Sequence, residues 1–425
     1  MDVLKYGSRG SEVSLLQLAL IRAGFGPILK DGIFGPDTKA ALIDFQRSKG
    51  IYPDGIFGKQ SVSALMPWLT GYIIHTSAPG DTFYILSRKY GSTETAISAA
   101  NPDFSPENLL IGSKITVPLG FELVPTDIPY CSTLISYCIL GLCARYPFIL
   151  KGNIGKSVMG KPIPCLFIGK GENRVLYNAS HHANEWICSP LLLKFCEDLC
   201  KALIYKKEIY GQKPEEILKY STICLIPVVN PDGIDLVTGA LQKGDYYNNA
   251  VQISKNYPAF PFPDGWSANI SGIDLNLQYP ANWQLAREIK FNKGIVSPAP
   301  SEFVGNYPLS SPESRAMYDF TLKFMPSLTL SYHTQGEVIY WRYLDYNPPG
   351  AEQIAEMFST ISSYSYENTP YSSGFAGYKD WFIKTFNSPG YTVEAGRGVN
   401  PLPVKDFSEI YEKNLGILTL ASLVT

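Results

Sequence analysis

Whatever this chain folds into must bring His182, Glu185 and His333 to one place. The first two lie in Ser180-His181-His182-Ala183-Asn184-Glu185-Trp186, and the third follows about 150 residues later in Leu330-Ser331-Tyr332-His333-Thr334. Two imidazoles and a carboxylate make a ligand set for catalytic zinc, which takes three protein ligands and keeps a fourth position open for water and substrate. The helical His-Glu-x-x-His arrangement, with histidines at i and i+4, is absent. In His-x-x-Glu with a distant third ligand, the close pair can sit where a strand turns into a helix while the distant His comes from another strand. The flanks agree: Arg174-Val175-Leu176-Tyr177-Asn178-Ala179 reads as a short buried strand, and Pro190-Leu191-Leu192-Leu193-Lys194-Phe195-Cys196 as a helix. His181 lies four residues before Glu185 and stands as the alternative ligand. His75 is expected to be structural.

These residues resemble the zinc carboxypeptidase family, whose signature is His-x-x-Glu, a distant His and a still later catalytic Glu. The segment Gly390-Tyr391-Thr392-Val393-Glu394-Ala395-Gly396-Arg397-Gly398 is similar to the family strand that carries the general base. The resemblance therefore gives Glu394 that role. Val229-Asn230-Pro231-Asp232-Gly233 and Gly272-Ile273-Asp274-Leu275-Asn276 look like two further family landmarks, and the likeness runs from Thr126 to Thr425. Chemistry asks for the same residue types. Zinc polarises a scissile carbonyl and acidifies water, while a carboxylate beside it takes the proton and later returns it to the leaving amine. Glu394 lies in an otherwise apolar strand, where an unpaired carboxylate is costly. Asp274 is similar in position to the family residue that holds a ligand His by its second ring nitrogen, fixing tautomer and orientation.

A chain of 425 residues with 45% hydrophobic content exceeds a usual single domain and has ample apolar material for burial. The net charge of -2 argues against nucleic acid as a partner, since phosphate contacts need a concentrated basic face. All eight cysteines fall between Cys131 and Cys224, mostly among Leu, Ile and Phe, and without a Cys-x-x-Cys pair. They are expected to be reduced core residues. No charged segment, apolar run and small-residue cleavage site open the chain, so no secretion signal is expected. Leu15-Leu16-Gln17-Leu18-Ala19-Leu20-Ile21-Arg22 is too short and polar to span a membrane and reads as an amphipathic helix.

The first 70 residues contain an internal repeat, Asp31-Gly32-Ile33-Phe34-Gly35 and Asp54-Gly55-Ile56-Phe57-Gly58, with Ala40-Ala41-Leu42-Ile43-Asp44-Phe45-Gln46 between. Tight Asp-Gly turns joined by short helices predict a three-helix unit, and Tyr6 to Trp68 resembles the peptidoglycan-binding domain type 1 family. Residues 71–120 carry Tyr72-Ile73-Ile74-His75, Pro79-Gly80-Asp81-Thr82-Phe83, Ala99-Ala100-Asn101-Pro102 and Ile111-Gly112-Ser113-Lys114-Ile115-Thr116-Val117-Pro118. The pattern predicts strand, two helices and strand, and resembles a LysM domain, which implies binding of N-acetylglucosamine-containing glycans. Gly120 to Ile128, with two prolines, is expected to be the linker to a catalytic domain over 121–425. The expected fold class is α/β: a mixed, mostly parallel sheet flanked by helices, preceded by a small three-helix domain and a small βααβ domain.

Two wall-binding modules ahead of a zinc peptidase raise the effective concentration of the polymer's own peptides at the active site. The arrangement resembles the γ-D-glutamyl-meso-diaminopimelate peptidases, which implies stem peptides and glycan strands of peptidoglycan as partners. One departure bears on mechanism. From Trp266 to Leu277 there is no Arg or Lys, whereas typical carboxypeptidases place arginines there to hold the terminal carboxylate and stabilise the oxyanion. Asn276 remains as a neutral donor, and Lys379 and Arg397 are candidates for substrate carboxylates. Tyr371 resembles the family's mobile tyrosine that closes over substrate. The alternatives are a broader carboxypeptidase on ordinary peptide termini and a non-catalytic wall-binding or spore-structural protein. A presumed extracellular substrate without a secretion signal makes a spore compartment one expected site of action and recycling of imported wall fragments another.

Overall fold

The computed structural model describes residues 3–107 and 109–424, which divide into two compact units. One runs up to Leu150 and includes Cys196–Lys207; the other comprises Lys151–Phe195 and the residues from Glu208 onward.

The first unit opens with helices α1 (Ser11–Arg22), α2 (Pro36–Ser48) and α3 (Lys59–Thr70). The repeat seen in the sequence is a repeat of hydrogen bonding. The carboxamide of Gln17 reaches Asp31 Oδ1, the Ile33 carbonyl and Thr38 Oγ1, while its oxygen accepts from Gly32 N–H. Gln46 does the same with Asp54, Ile56, Ser61 and Gly55. Gly32 and Gly55 have φ of 71° and 68°, the left-handed backbone that makes glycine the favoured residue of each Asp-Gly turn. The repeat phenylalanines, Phe34 and Phe57, are fully buried.

Strand β1 (Tyr72–Thr76), helices α4 (Phe83–Tyr90) and α5 (Glu94–Ala100) and strand β2 (Lys114–Pro118) follow, with β1 and β2 antiparallel. Thr82 caps α4 by accepting from Ile85 N–H, Thr93 caps α5 through Ala96 N–H, and Gly91 ends α4 in the left-handed conformation. His75 bridges Tyr90 and Asp81 at 2.9 and 2.8 Å, a structural place. After β2 the sequence suggests a spacer, and the structure corrects this. Leu123, Val124 and Ile128 are buried. The strap is held from both sides: Glu197 accepts from the backbone N–H groups of Leu123 and Val124, and Arg145, at the end of α6 (Ser132–Arg145), donates to the carbonyls of Gly71, Leu119 and Phe121.

The second unit is built on an eight-stranded sheet of β3 (Leu150–Lys156), β4 (Pro162–Ile168), β5 (Asn173–Ala179), β6 (Ser221–Ile226), β7 (Leu328–His333), β8 (Val338–Arg342), β9 (Ser365–Asn368) and β10 (Gly390–Glu394), in the order β3-β4-β6-β5-β7-β10-β8-β9. Pairings β5–β6, β5–β7, β7–β10 and β8–β9 are parallel; β4–β6 and β8–β10 are antiparallel. All of β7 and Val175–Ala179 of β5 are buried, as central strands covered on both faces must be. The helices that follow in the chain are α7 (Cys188–Ile204), α8 (Pro214–Tyr220), α9 (Pro231–Val237), α10 (Asp245–Lys255), α11 (Trp283–Asn292), α12 (Pro312–Phe324), α13 (Ala351–Ser362), α14 (Tyr378–Phe386) and α15 (Phe407–Leu420). The eight cysteines are free thiols, seven of them buried. No helix among the described residues is long and apolar enough to cross a membrane.

Candidate active site

Parallel strands of an open sheet offer a binding crevice beyond their carboxyl ends, and the candidate residues are there. After β5 the chain turns through Ser180 at φ 56°, then His182 leads into the single turn Ala183–Glu185 ahead of α7. His333 is the last residue of β7 and Glu394 the last of β10. These two strands are neighbours, and Glu394 pairs with His333 in register. The turn after β5 is fixed from below: Asn230, the N-cap of α9, donates to the carbonyls of His181 and Ala268, and Ala183 N–H donates to the carbonyl of Ser267.

One donor atom from each of His182, Glu185 and His333 lies within 4.8 Å of the others. His182 Nδ1 is 2.9 Å from Glu185 Oε1, His333 Nδ1 is 2.8 Å from Glu185 Oε2, and the two Nδ1 atoms face each other at 3.2 Å. Two imidazole nitrogens and a carboxylate aimed at a common point, almost wholly buried, suit a dication better than one another. The set therefore fits zinc. The other nitrogen of His182 meets Asp274 Oδ1 at 3.1 Å, leaving Nδ1 as the metal-facing atom.

Burial opposes charge on Glu185, Asp274 and His182, and the attraction of their oppositely charged neighbours outweighs it. Glu185, between two imidazoles, is lowered to about 2, Asp274 is lowered by His182, and His182 is raised well above its ordinary value by Glu185 and Asp274. Glu394 has no such partner among the described residues. Burial pushes it up to about 7, with His333 pulling it down and Glu185 pushing it further up, which places it in the range of a general base at neutral pH. His181 turns away from the ligand atoms. Its Nε2 meets Tyr279 Oη at 3.0 Å, its ring stacks on His333 with centroids 5.8 Å apart, and burial followed by the neighbouring imidazoles holds it neutral.

The site opens into a cleft of about 410 Å³. Asn276 lines it, with Oδ1 accepting from Tyr378 N–H and Nδ2 at 3.4 Å from His333 Nε2. Ser267 and Leu277 stand in the segment without arginines. Lys379 lies in the wall with its ammonium on Asp380 Oδ1 and the Arg342 carbonyl at 2.6 and 2.8 Å. One expectation needs correction: Arg397 is 77% exposed, bonded to Glu337 and outside the cleft lining, because the chain turns outward after Ala395. Tyr371 is largely exposed beside an adjoining groove, packed edge-on against Phe375, as a residue expected to be mobile can be. Sequence reasoning passed over Lys290, Glu302 and Asp380, which line the cleft; buried charges on amphipathic helices and loops carry no local signature, although Asp380 adjoins Lys379.

The chain matches the zinc carboxypeptidase family over residues 138–416, the LysM domain over 75–118 and the peptidoglycan binding domain over 9–65. It is 39% identical over 299 residues to gamma-D-glutamyl-L-diamino acid endopeptidase 1 of Lysinibacillus sphaericus, covering 70% of this chain and 74% of that protein. A protein of Bacillus subtilis (strain 168), YqgT, is 39% identical over 277 residues, 64% of this chain and 72% of its own length. Among solved structures, bovine thrombin-activatable fibrinolysis inhibitor in complex with tick carboxypeptidase inhibitor superposes with a TM-score of 0.53 at 20% identity, over 70% of this chain and 97% of that one. That likeness establishes the α/β fold. With family signature, sheet and metal-facing residues in agreement, this chain belongs to the zinc carboxypeptidase family and is a metallopeptidase carrying peptidoglycan-binding and LysM modules.

Proposed function

We propose that the protein hydrolyses the γ-D-glutamyl–diaminopimelate bond of peptidoglycan stem peptides, with His182, Glu185 and His333 as zinc ligands and Glu394 as general base. The observation that carries the reading is a complete peptidase constellation in a cleft whose wall presents Lys379, while the segment of the family's arginines holds Ser267 and Leu277. The L. sphaericus relative is named for cutting next to a diamino acid after a γ-D-glutamyl group, and the wall-binding modules point to the same polymer.

Bound zinc supplies Lewis acidity to the scissile carbonyl and to the attacking water. Glu394 accepts the proton from that water and returns it to the departing amine; its burial keeps it basic enough to do the first and acidic enough to do the second. Asp274 holds the His182 tautomer. Lys379 receives a carboxylate of the D-glutamyl or diaminopimelyl residue, as a point charge where arginine would bind bidentately. Asn276 lends an amide donor, and Tyr371 moves over the cleft when substrate is bound. Action at the wall, including the wall of a forming spore, follows from the substrate.

The test sets γ-linked against α-linked D-glutamyl–diaminopimelate peptides and against ordinary peptides with free carboxyl termini. Cleavage confined to the γ-linked series supports the proposal. Preference for ordinary termini would transfer the protein to the broad carboxypeptidases.

A further inference from the structure

Helix α11 buries an ammonium group in the cleft wall. Lys290 is 4% exposed, and its Nζ donates to Glu302 Oε1 at 2.5 Å and to the Ser372 carbonyl at 3.3 Å. Glu302 is held as firmly. Its backbone is left-handed at φ 64°, its N–H lies 3.3 Å from Asp274 Oδ2, and Lys293 adds a second donor to Oε1 at 3.2 Å. A left-handed backbone is costly for a residue other than glycine, and so is desolvating an ammonium before it is paired. The apolar packing of this helix is carried by its neighbours Ile289 and Phe291, which lie against the core, while Lys290 faces the cleft. Strain and buried charge thus meet on the wall of the active site.

The pair also has hydrogen-bonding capacity left over. Both lysines occupy Oε1 of Glu302; Oε2 accepts nothing among the described residues, and the carboxylate side chain is 31% exposed. Lys290 has three N–H donors, of which Glu302 and Ser372 use two. One acceptor and one donor side by side complement an α-amino-acid head group, an ammonium next to a carboxylate. We infer that Lys290 and Glu302 receive the distal zwitterionic end of the substrate's diamino acid, Glu302 Oε2 accepting from its ammonium and Lys290 donating to its carboxylate. This rests on the proposed function for the identity of the substrate. It makes the site selective for meso-diaminopimelate, which offers both groups, over L-lysine, which offers only the ammonium.

Binding to the zinc-loaded Glu394→Gln protein reads this without turnover. Four ligands are titrated calorimetrically: L-Ala-γ-D-Glu-meso-diaminopimelate, its L-lysine counterpart, the first peptide acetylated on the distal amine, and the first peptide acetylated on the alanine amine. The diaminopimelate peptide binds about tenfold more tightly than the lysine peptide. Adding Lys290→Met abolishes that preference and leaves the lysine peptide within about twofold. Distal acetylation weakens binding, and alanine acetylation does not. Glu302→Gln weakens both free-amine peptides; if it fails to fold, Lys290→Met decides alone. Equal losses for the diaminopimelate and lysine peptides in Lys290→Met would reduce the pair to structural support of the wall. Sensitivity to alanine acetylation alone would assign the ammonium to the peptide's amino terminus and overturn the inference, as would no binding of any peptide by the folded protein. Failure of the proposed function shows up separately, as absent γ-glutamyl cleavage by the zinc-loaded parent.

Discussion

Glu394 and His333 occupy paired positions at the ends of two adjacent parallel strands. The residue we propose as general base is therefore placed beside the proposed ligands by the hydrogen-bond ladder of the sheet rather than by a loop. Among the described residues it has no ion-pair partner, and burial stands as the leading influence that keeps it basic.

Replacing Glu394 by Gln keeps the shape and removes the base. The variant binds zinc as the parent does and loses about 10²–10⁴-fold in kcat, the usual value of a positioned acid–base group. Metal analysis alongside steady-state rates checks this. In the parent, kcat/KM rises with pH as Glu394 ionises, and because a bound dication favours the carboxylate, the midpoint of that limb lies below about 7.

His182 and His181 are adjacent in sequence and opposite in role. His182→Ala removes the Nδ1 that faces Glu185, so zinc does not survive dialysis; His181→Ala retains it. Asp274→Asn leaves all three ligands and weakens zinc affinity about 10–100-fold by losing the carboxylate on His182 Nε2. Competition with a chromogenic chelator ranks the three.

His182, Glu185, His333 and Glu394 were legible as neighbours because the chemistry proposed for them restricts them to a few residue types in a fixed order. So were β5, α1 and the repeated Asp-Gly turns, where apolar runs and glycine speak locally. The Gly120–Ile128 strap was not. Its prolines read as a spacer, and what holds it, Arg145 and Glu197, comes from helices distant in sequence. The same reason hid Lys290 and Glu302, and it left Arg397 in view as a candidate although it bonds Glu337 at the surface.

Glu197 is 1% exposed, accepts two strap N–H groups and lies 3.8 Å from Arg145. Glu197→Ala leaves a guanidinium and two amides buried without it, which costs about 3–5 kcal/mol. Denaturant unfolding followed by circular dichroism reads that loss.

Glu313 is fully buried, and desolvation followed by the Asp232 charge pushes it up to about 7 despite hydrogen bonds from Val158 N–H and Asn269. The folded protein therefore binds a proton that the unfolded chain releases near pH 4.5, and this contribution to stability is present in acid and lost as pH rises through about 7. Glu313→Gln is less stable throughout, since a second amide donor then faces Val158 N–H or Asn269 Nδ2, but its Tm declines less between these pH values. Thermal scans across that window measure the difference in slope.

The central claim meets its most direct test in mass spectrometry of L-Ala-γ-D-Glu-meso-diaminopimelate incubated with the zinc-loaded protein, a chelated sample and Glu394→Gln. The account predicts L-Ala-D-Glu and free diaminopimelate from the first sample alone. Intact peptide in all three, with zinc bound, or equal release by Glu394→Gln, would contradict it.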